Sequence, residues 1–166
     1  MLIHSADEPK LRNPGPKSGD ASPLHIVPEL WRPSLWRMIW SMTLAGGMRP
    51  PKISDAERFG AGEVLDVPGH PRVIPTPGHT PGHCAFHFEQ HSALFVGDAM
   101  CTMNPVTGGT GPQLMPHVMN ESNERALRSL SEIEPIEAEV MLFGHGEPWR
   151  EGVRRAVEQA RALERR

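Results

Sequence analysis

The segment Thr76-Pro77-Gly78-His79-Thr80-Pro81-Gly82-His83 constrains the fold of this 166-residue chain more than any other. Its two Pro-Gly dipeptides suit neither helix nor regular strand, so the backbone must turn there. Arg72-Val73-Ile74-Pro75 before it and Cys84-Ala85-Phe86-His87-Phe88 after it have strand character. Two more turns follow apolar strands downstream: Gly97-Asp98 after Ala93-Leu94-Phe95-Val96, and Gly144-His145 after Val140-Met141-Leu142-Phe143. Each puts a side chain able to bind a metal on a turn just past a buried strand.

The rest of the chain gives further elements. Leu2-Ile3 reads as a short strand, and Ser5 with Glu8 fits a capping box for a short helix to about Leu11. Residues 13–24 are rich in turn formers and read as a loop. Residues 34–45 read as a helix with Leu35, Ile39 and Met42 on one face and Trp36 and Trp40 on a second. So much apolar circumference calls for cover on more than one side. Core packing, a subunit interface and the wall of a substrate cleft are the competing explanations for the two tryptophans.

From Ile53 onward the pattern is mostly β. Glu63–Val67 and Arg72–Pro75 are short strand candidates. Residues 83–97 form a predicted hairpin in which Cys84, Phe86 and Phe88 alternate on one face and Glu89–Ser92 make the turn. Residues 101–117 read as a long loop without period. Asn120 or Ser122 is placed to cap a helix carrying Leu127, Leu130 and Ile133. Pro148 is placed to start a last helix with Trp149, Val153, Ala156, Val157, Ala160 and Leu163 along one stripe. Strands in the middle, then helix, strand and helix, predict a layered α/β domain with mixed sheets and helices on the outer faces.

Composition narrows the partners. A formal charge of −3 gives no electrostatic reason to expect nucleic acid. The longest apolar run, Met38 to Met48, is too short to span a bilayer, and the N-terminal residues lack the pattern of a secretory signal. The expectation is a cytoplasmic protein with a small-molecule substrate. Cys84 and Cys101, the two cysteines, form no paired motif and are expected to be reduced and buried.

His79, Asp98 and His145 are the candidate metal ligands. Functional side chains in layered α/β folds gather on loops past the ends of strands. Two imidazoles and a carboxylate suit Zn²⁺ or a similar ion with a position left open for water. Such a water, with its pKa lowered to about 7, supplies hydroxide at neutral pH. His83 and Thr80 are expected to support the ligands rather than bind the metal. His87 is expected at a core edge or in solvent, and His91 in the turn. His117, in the 101–117 segment, and Trp36 and Trp40 are candidate substrate contacts.

The ordered strings VIPTPGHTPGH, ALFVGD and MLFGHG resemble the metallo-β-lactamase superfamily, nearest its glyoxalase II-like and general hydrolase branches. The match runs over about residues 60–165 and more loosely over 1–12. The resemblance implies an αββα sandwich with two zinc ions, in some members iron or manganese. It implies that His79 binds the first metal, Asp98 bridges the two, and His145 binds the second. That family also carries a His-x-His-x-Asp-His loop, and none of the nine histidines here stands two residues from another. The expectation is therefore a single, incomplete domain, truncated at its N-terminal side. Residues 1–12 would form a strand and helix, 13–60 a loop and the Trp-rich helix, and 61–166 the ligand-bearing half. Each of two ions would keep one histidine and a share of Asp98; a single ion gathered by all three after rearrangement, or no ion, is the alternative.

Two functions follow. One is a metal-dependent hydrolase acting on an ester, thioester, lactone or amide, completed by a missing N-terminal half or by a partner in a homo-oligomer. The other is a non-catalytic half-domain that self-associates through its Trp/Met surface.

Overall fold

The computed structural model describes residues 1–12, 27–46 and 56–165. The loop expected at 13–24 lies outside them. The central element is a four-stranded sheet of order β3-β4-β5-β8, made by β3 (Arg72–Pro75), β4 (Cys84–Phe88), β5 (Ala93–Gly97) and β8 (Val140–Phe143). The pairs β3/β4 and β4/β5 are antiparallel, whereas β5 and β8 run parallel. The predicted hairpin is present, with a single helical turn at Glu89–His91 and Ser92 in the left-handed region at φ 45°.

Alternation along the strands sends side chains to two cores. One face contributes Ala85, Leu94, Val96 and Met141 to a cluster with two helices. These are α3 (Asn123–Ile133), through Ala126, Leu130 and Ile133, and α4 (Val153–Glu164), through Val153, Ala156, Val157 and Ala160. Full burial of a side chain such as Leu130 contributes roughly 1.5–3 kcal/mol before entropy is counted. The other face places Val73 and Cys84 with Phe59 and Leu65. Phe95 on β5 stays 45% exposed, so that second face is covered over β3 and β4 and open at β5.

Two small strand pairs flank the sheet. β1 (Leu2–His4) pairs parallel with β2 (Glu57–Phe59), a strand the sequence pattern did not reveal. β6 (Met100–Met103) pairs antiparallel with β7 (Thr110–Leu114). Residues 101–117 are thus a hairpin and not a long loop. Its strands contain Thr, Gly and Pro with no apolar period, and the cross-strand bonds define them.

Several other expectations change. Glu63–Val67 makes only a single bridge, Val64 to Arg72, because Pro68 and Gly69 turn the chain at once. No Ser5 capping box opens the first helix. His4 instead accepts from the Ala6 N–H through Nδ1 at 3.2 Å, and a 3₁₀ turn (Ser5–Asp7) leads into α1 (Glu8–Arg12). Ser122, not Asn120, caps α3 by accepting from the Arg125 N–H at 3.3 Å. The last helix starts at Val153 rather than Pro148. Trp149 is held in an antiparallel bridge with Met141, each N–H donating to the other's carbonyl at 2.9 and 3.0 Å.

The Trp-rich helix α2 (Pro33–Leu44) forms as expected, but core packing of its tryptophans does not. Leu35 is fully buried, whereas Trp36 and Trp40 are 55% and 68% exposed. Ser34 Oγ donates to the Val106 carbonyl and ties this helix to the β6–β7 hairpin. No helix among the described residues is long and apolar enough to cross a membrane.

Candidate metal centre

Strand direction brings the three candidate ligands together. β3 and β5 are each antiparallel to β4, and β8 is parallel to β5, so β3, β5 and β8 all point the same way. Their C-terminal ends therefore open on one edge of the sheet. His79 lies in the turn beyond β3, Asp98 directly past Gly97 of β5, and His145 two residues past Phe143 of β8.

The Asp98 carboxylate sits between the two imidazoles. Oδ2 is 3.5 Å from His79 Nε2, and Oδ1 is 3.8 Å from His145 Nε2. The side chain of His79 is 11% exposed, against 30% for Asp98 and 35% for His145, so the site opens toward solvent on the His145 side. Each carboxylate oxygen addresses a different ring. One ring nitrogen therefore lies beside each carboxylate oxygen.

Two close approaches depend on glycine. Gly78, at φ 151°, lies against the backbone of Ala126 in α3, where any Cβ would overlap main-chain atoms. Its carbonyl accepts from the Ser122 N–H at 3.0 Å, which docks the His79 turn on the start of α3. Gly144 faces Asp98, and a Cβ there would overlap Oδ1.

His83 supports Asp98 directly. The Asp98 backbone N–H donates to His83 Nε2 at 3.1 Å. A nitrogen that accepts carries no hydrogen, so His83 is neutral with its proton on Nδ1. That Nδ1 faces the Thr76 hydroxyl at 2.8 Å and the Thr76 carbonyl at 3.2 Å. Thr80 supports the same turn from the other side. Its hydroxyl donates to Asp7 Oδ2 at 2.5 Å, while the Gly82 N–H donates to Asp7 Oδ1 at 3.0 Å. Lys10, one turn along α1, pairs with Glu121 before α3. The N-terminal 3₁₀ turn and helix are thereby tied to the His79 turn and to the residues before α3.

Asp7 and Asn120 are the contributors that sequence reasoning missed. Asp7 looks in sequence like an ordinary acid at the start of a helix. Asn120 looks like no more than a helix cap, yet it is buried and its Oδ1 faces His79 Nδ1 at 3.3 Å. Neither has a local sequence signal, because both partners are distant along the chain.

The side chains of His117 and Trp36, expected as substrate contacts, have partners outside this cluster. The His117 imidazole pairs with Glu164 near the end of α4 at 2.7 Å. Trp36 donates through Nε1 to the Leu30 carbonyl at 2.7 Å on the exposed side of α2. His87 is half-buried on β4, and His91 lies in the hairpin turn.

Both cysteines are free and buried. Burial pushes the Cys84 thiol up to about 11, with the Asp7 charge adding to it. Burial pushes Cys101 up to about 12, with the Asp98 charge as a lesser cause. Both are thiols at neutral pH and so are not ready metal ligands.

Among the described residues no group of three or more His, Cys, Asp or Glu side chains closes into a metal cage. The donor chemistry at Asp98 suits a metal, but a carboxylate oxygen with the ring nitrogen beside it would offer only two of the four donors a zinc ion takes. These residues by themselves therefore fit part of a metal centre, not a whole one.

The family model of the metallo-beta-lactamase superfamily matches residues 7–145, and the chain belongs to that superfamily. Among curated relatives, a hydroxyacylglutathione hydrolase of Methylococcus capsulatus is 31% identical over 126 residues, covering 68% of this chain and 43% of the relative. A hydroxyacylglutathione hydrolase of Hyphomonas neptunium is 36% identical over 84 residues, covering 40% of this chain and 33% of the relative. The chain thus spans less than half the length of these relatives. Among solved structures, a metallo-beta-lactamase family protein from Thermus thermophilus superposes with a TM-score of 0.60 at 24% identity, covering 99% of this chain and 52% of the other. A beta-lactamase domain protein from Burkholderia ambifaria gives 0.54 at 28% identity, over 72% of this chain and 37% of the other. The fold is accordingly that of the superfamily, an α/β arrangement of mixed sheets and helices.

Proposed function

We propose that this chain provides half of the metal centre of a hydrolase. In this reading His79 is a ligand of one ion, His145 of a second, and Asp98 bridges the two. The remaining donors come from a second polypeptide segment or from a partner protomer. Zinc suits the imidazole and carboxylate donors, and iron or manganese would also accept them. The observation that carries the reading is the Asp98 carboxylate, with its two oxygens turned to two different imidazole nitrogens.

When bound, the metal supplies a Lewis acid for a carbonyl oxygen and a water acidic enough to act near neutral pH. The protein's own part is placement. His83 fixes the Asp98 turn through the backbone, and Asp7 fixes the turn that carries His79. The names of the curated relatives point to a hydroxyacylglutathione thioester as the first substrate to try. Esters, lactones and amides are further candidates with the same reacting carbonyl.

The test is a zinc titration by calorimetry on the intact chain and on Asp98→Asn, with thioester hydrolysis followed in parallel. The expected result is zinc uptake that falls at least tenfold in affinity in the variant. Equal uptake by both proteins would overturn the assignment of Asp98.

A second reading has an observation of its own. Trp31, Trp36, Trp40 and Leu44 are all exposed on and beside α2. Such a surface suits self-association by a non-catalytic half-domain. Sedimentation of the chain over a concentration series, with and without zinc, separates the two. A metal-independent oligomer with no hydrolysis would favour the second.

A further inference from the structure

Asn120 is 1% exposed, and both polar atoms of its side chain have a partner. Its Nδ2 donates to the Met115 carbonyl at 3.2 Å and to Asn123 Oδ1 at 2.9 Å. The Met115 carbonyl can only accept. Turning the amide round would bury one acceptor against another, so its orientation is set. The amide oxygen must then be the atom that faces His79 Nδ1 at 3.3 Å. That oxygen also can only accept, so the hydrogen between them belongs to His79 Nδ1.

A neutral imidazole has one N–H. With the proton on Nδ1, Nε2 presents a lone pair, and it does so 3.5 Å from Asp98 Oδ2. In that neutral form two acceptors face each other across the gap, and a cation between them relieves the repulsion. The backbone holds Asn120 firmly in place. Its N–H donates to the His117 carbonyl at 3.2 Å, where a turn (His117–Met119) leads into α3.

We propose that Asn120 is a positioning residue that holds His79 in the Nδ1–H tautomer, so that its Nε2 lone pair faces Asp98. The link to metal binding rests on the reading of His79 as a ligand, while the tautomer itself does not. Hydrogen bonding by the remote ring nitrogen is a general device for orienting a ligand histidine and raising its basicity.

The test is long-range proton–nitrogen NMR of the full chain labelled at histidine nitrogen, in the absence of zinc. It is read at an alkaline pH at which the ring shows a single N–H. The expected spectrum for His79 shows a protonated Nδ1 and an unprotonated Nε2. Asn120→Ala should move the ring toward a mixture of tautomers and weaken zinc binding by about 10–100-fold. An Nε2–H ring in the unmodified protein would overturn the proposal without any variant having to fold. If the expected tautomer is present but His79→Ala takes up zinc unchanged, the proposal stands and the ligand assignment fails.

Discussion

Gly144 leaves free the volume that Asp98 Oδ1 fills, and its N–H donates to the Gly97 carbonyl at 3.0 Å. The turn after β8 is thereby fastened to the turn after β5, with the carboxylate between them. Gly144→Ala should displace Asp98 and cost about 1–3 kcal/mol, the range for forcing an extra methyl into packed space. Chemical denaturation would read the stability loss, and calorimetry with zinc would read the displaced carboxylate. A variant that matches the parent in both would refute the packing argument.

Asp7 accepts two hydrogen bonds from the turn that carries His79. Asp7→Ala leaves the Thr80 hydroxyl and the Gly82 N–H without that acceptor and should cost about 1–3 kcal/mol. Thr80→Val removes only one of the two bonds and should cost less. In a double-mutant cycle the two changes should couple, since they share a partner. Additive losses, measured by denaturant unfolding, would mean that the two residues act independently.

The thiols set an alkaline limit. Cys84 and Cys101 are raised to about 11 and about 12 from an ordinary value of 9.0. The folded state holds these protons more tightly than the unfolded chain. Their contribution to stability is therefore complete below pH 9.0 and is lost as pH rises through 11 to 12. Denaturation midpoints should fall across that window, and they should fall less steeply in Cys101→Ala once its own lower baseline is subtracted. In the native protein near pH 8 both thiols should react slowly with a disulfide reagent, and rapidly after unfolding.

Helix α2 divides sharply between its faces. Leu35 is buried at 0% exposure, so Leu35→Ala should cost about 2–5 kcal/mol. Trp40 is 68% exposed, so Trp40→Ser should change the stability of the isolated chain by no more than about 0.5 kcal/mol. Thermal unfolding of both variants checks the contrast. A large loss in the Trp40 variant at high protein concentration alone would point to association through that face.

The parts legible in the sequence are those whose partners are local. Alternation at Cys84, Phe86 and Phe88, with turn formers beyond, was enough for the β4–β5 hairpin. The apolar spacing of Leu127, Leu130 and Ile133 was enough for α3. The β6–β7 hairpin was not legible, because Thr110, Gly111 and Pro112 have weak strand preference and become a strand only against Met100–Met103. Trp149 fitted the apolar stripe of α4 by spacing, yet its backbone pairs with Met141 and the helix waits for Gly152.

Residue order and turn chemistry by themselves determined that His79, Asp98 and His145 would each stand just beyond a strand. Only the tertiary structure decided how they face one another. The common direction of β3, β5 and β8 gathers the three side chains at one sheet edge, and the bare α-carbon of Gly144 admits the Asp98 carboxylate between the rings. Asn120 and Asp7 reach His79 and Thr80 across 41 and 73 residues of chain. Contacts of that span depend on how helices dock on a sheet, which no local pattern of residues encodes.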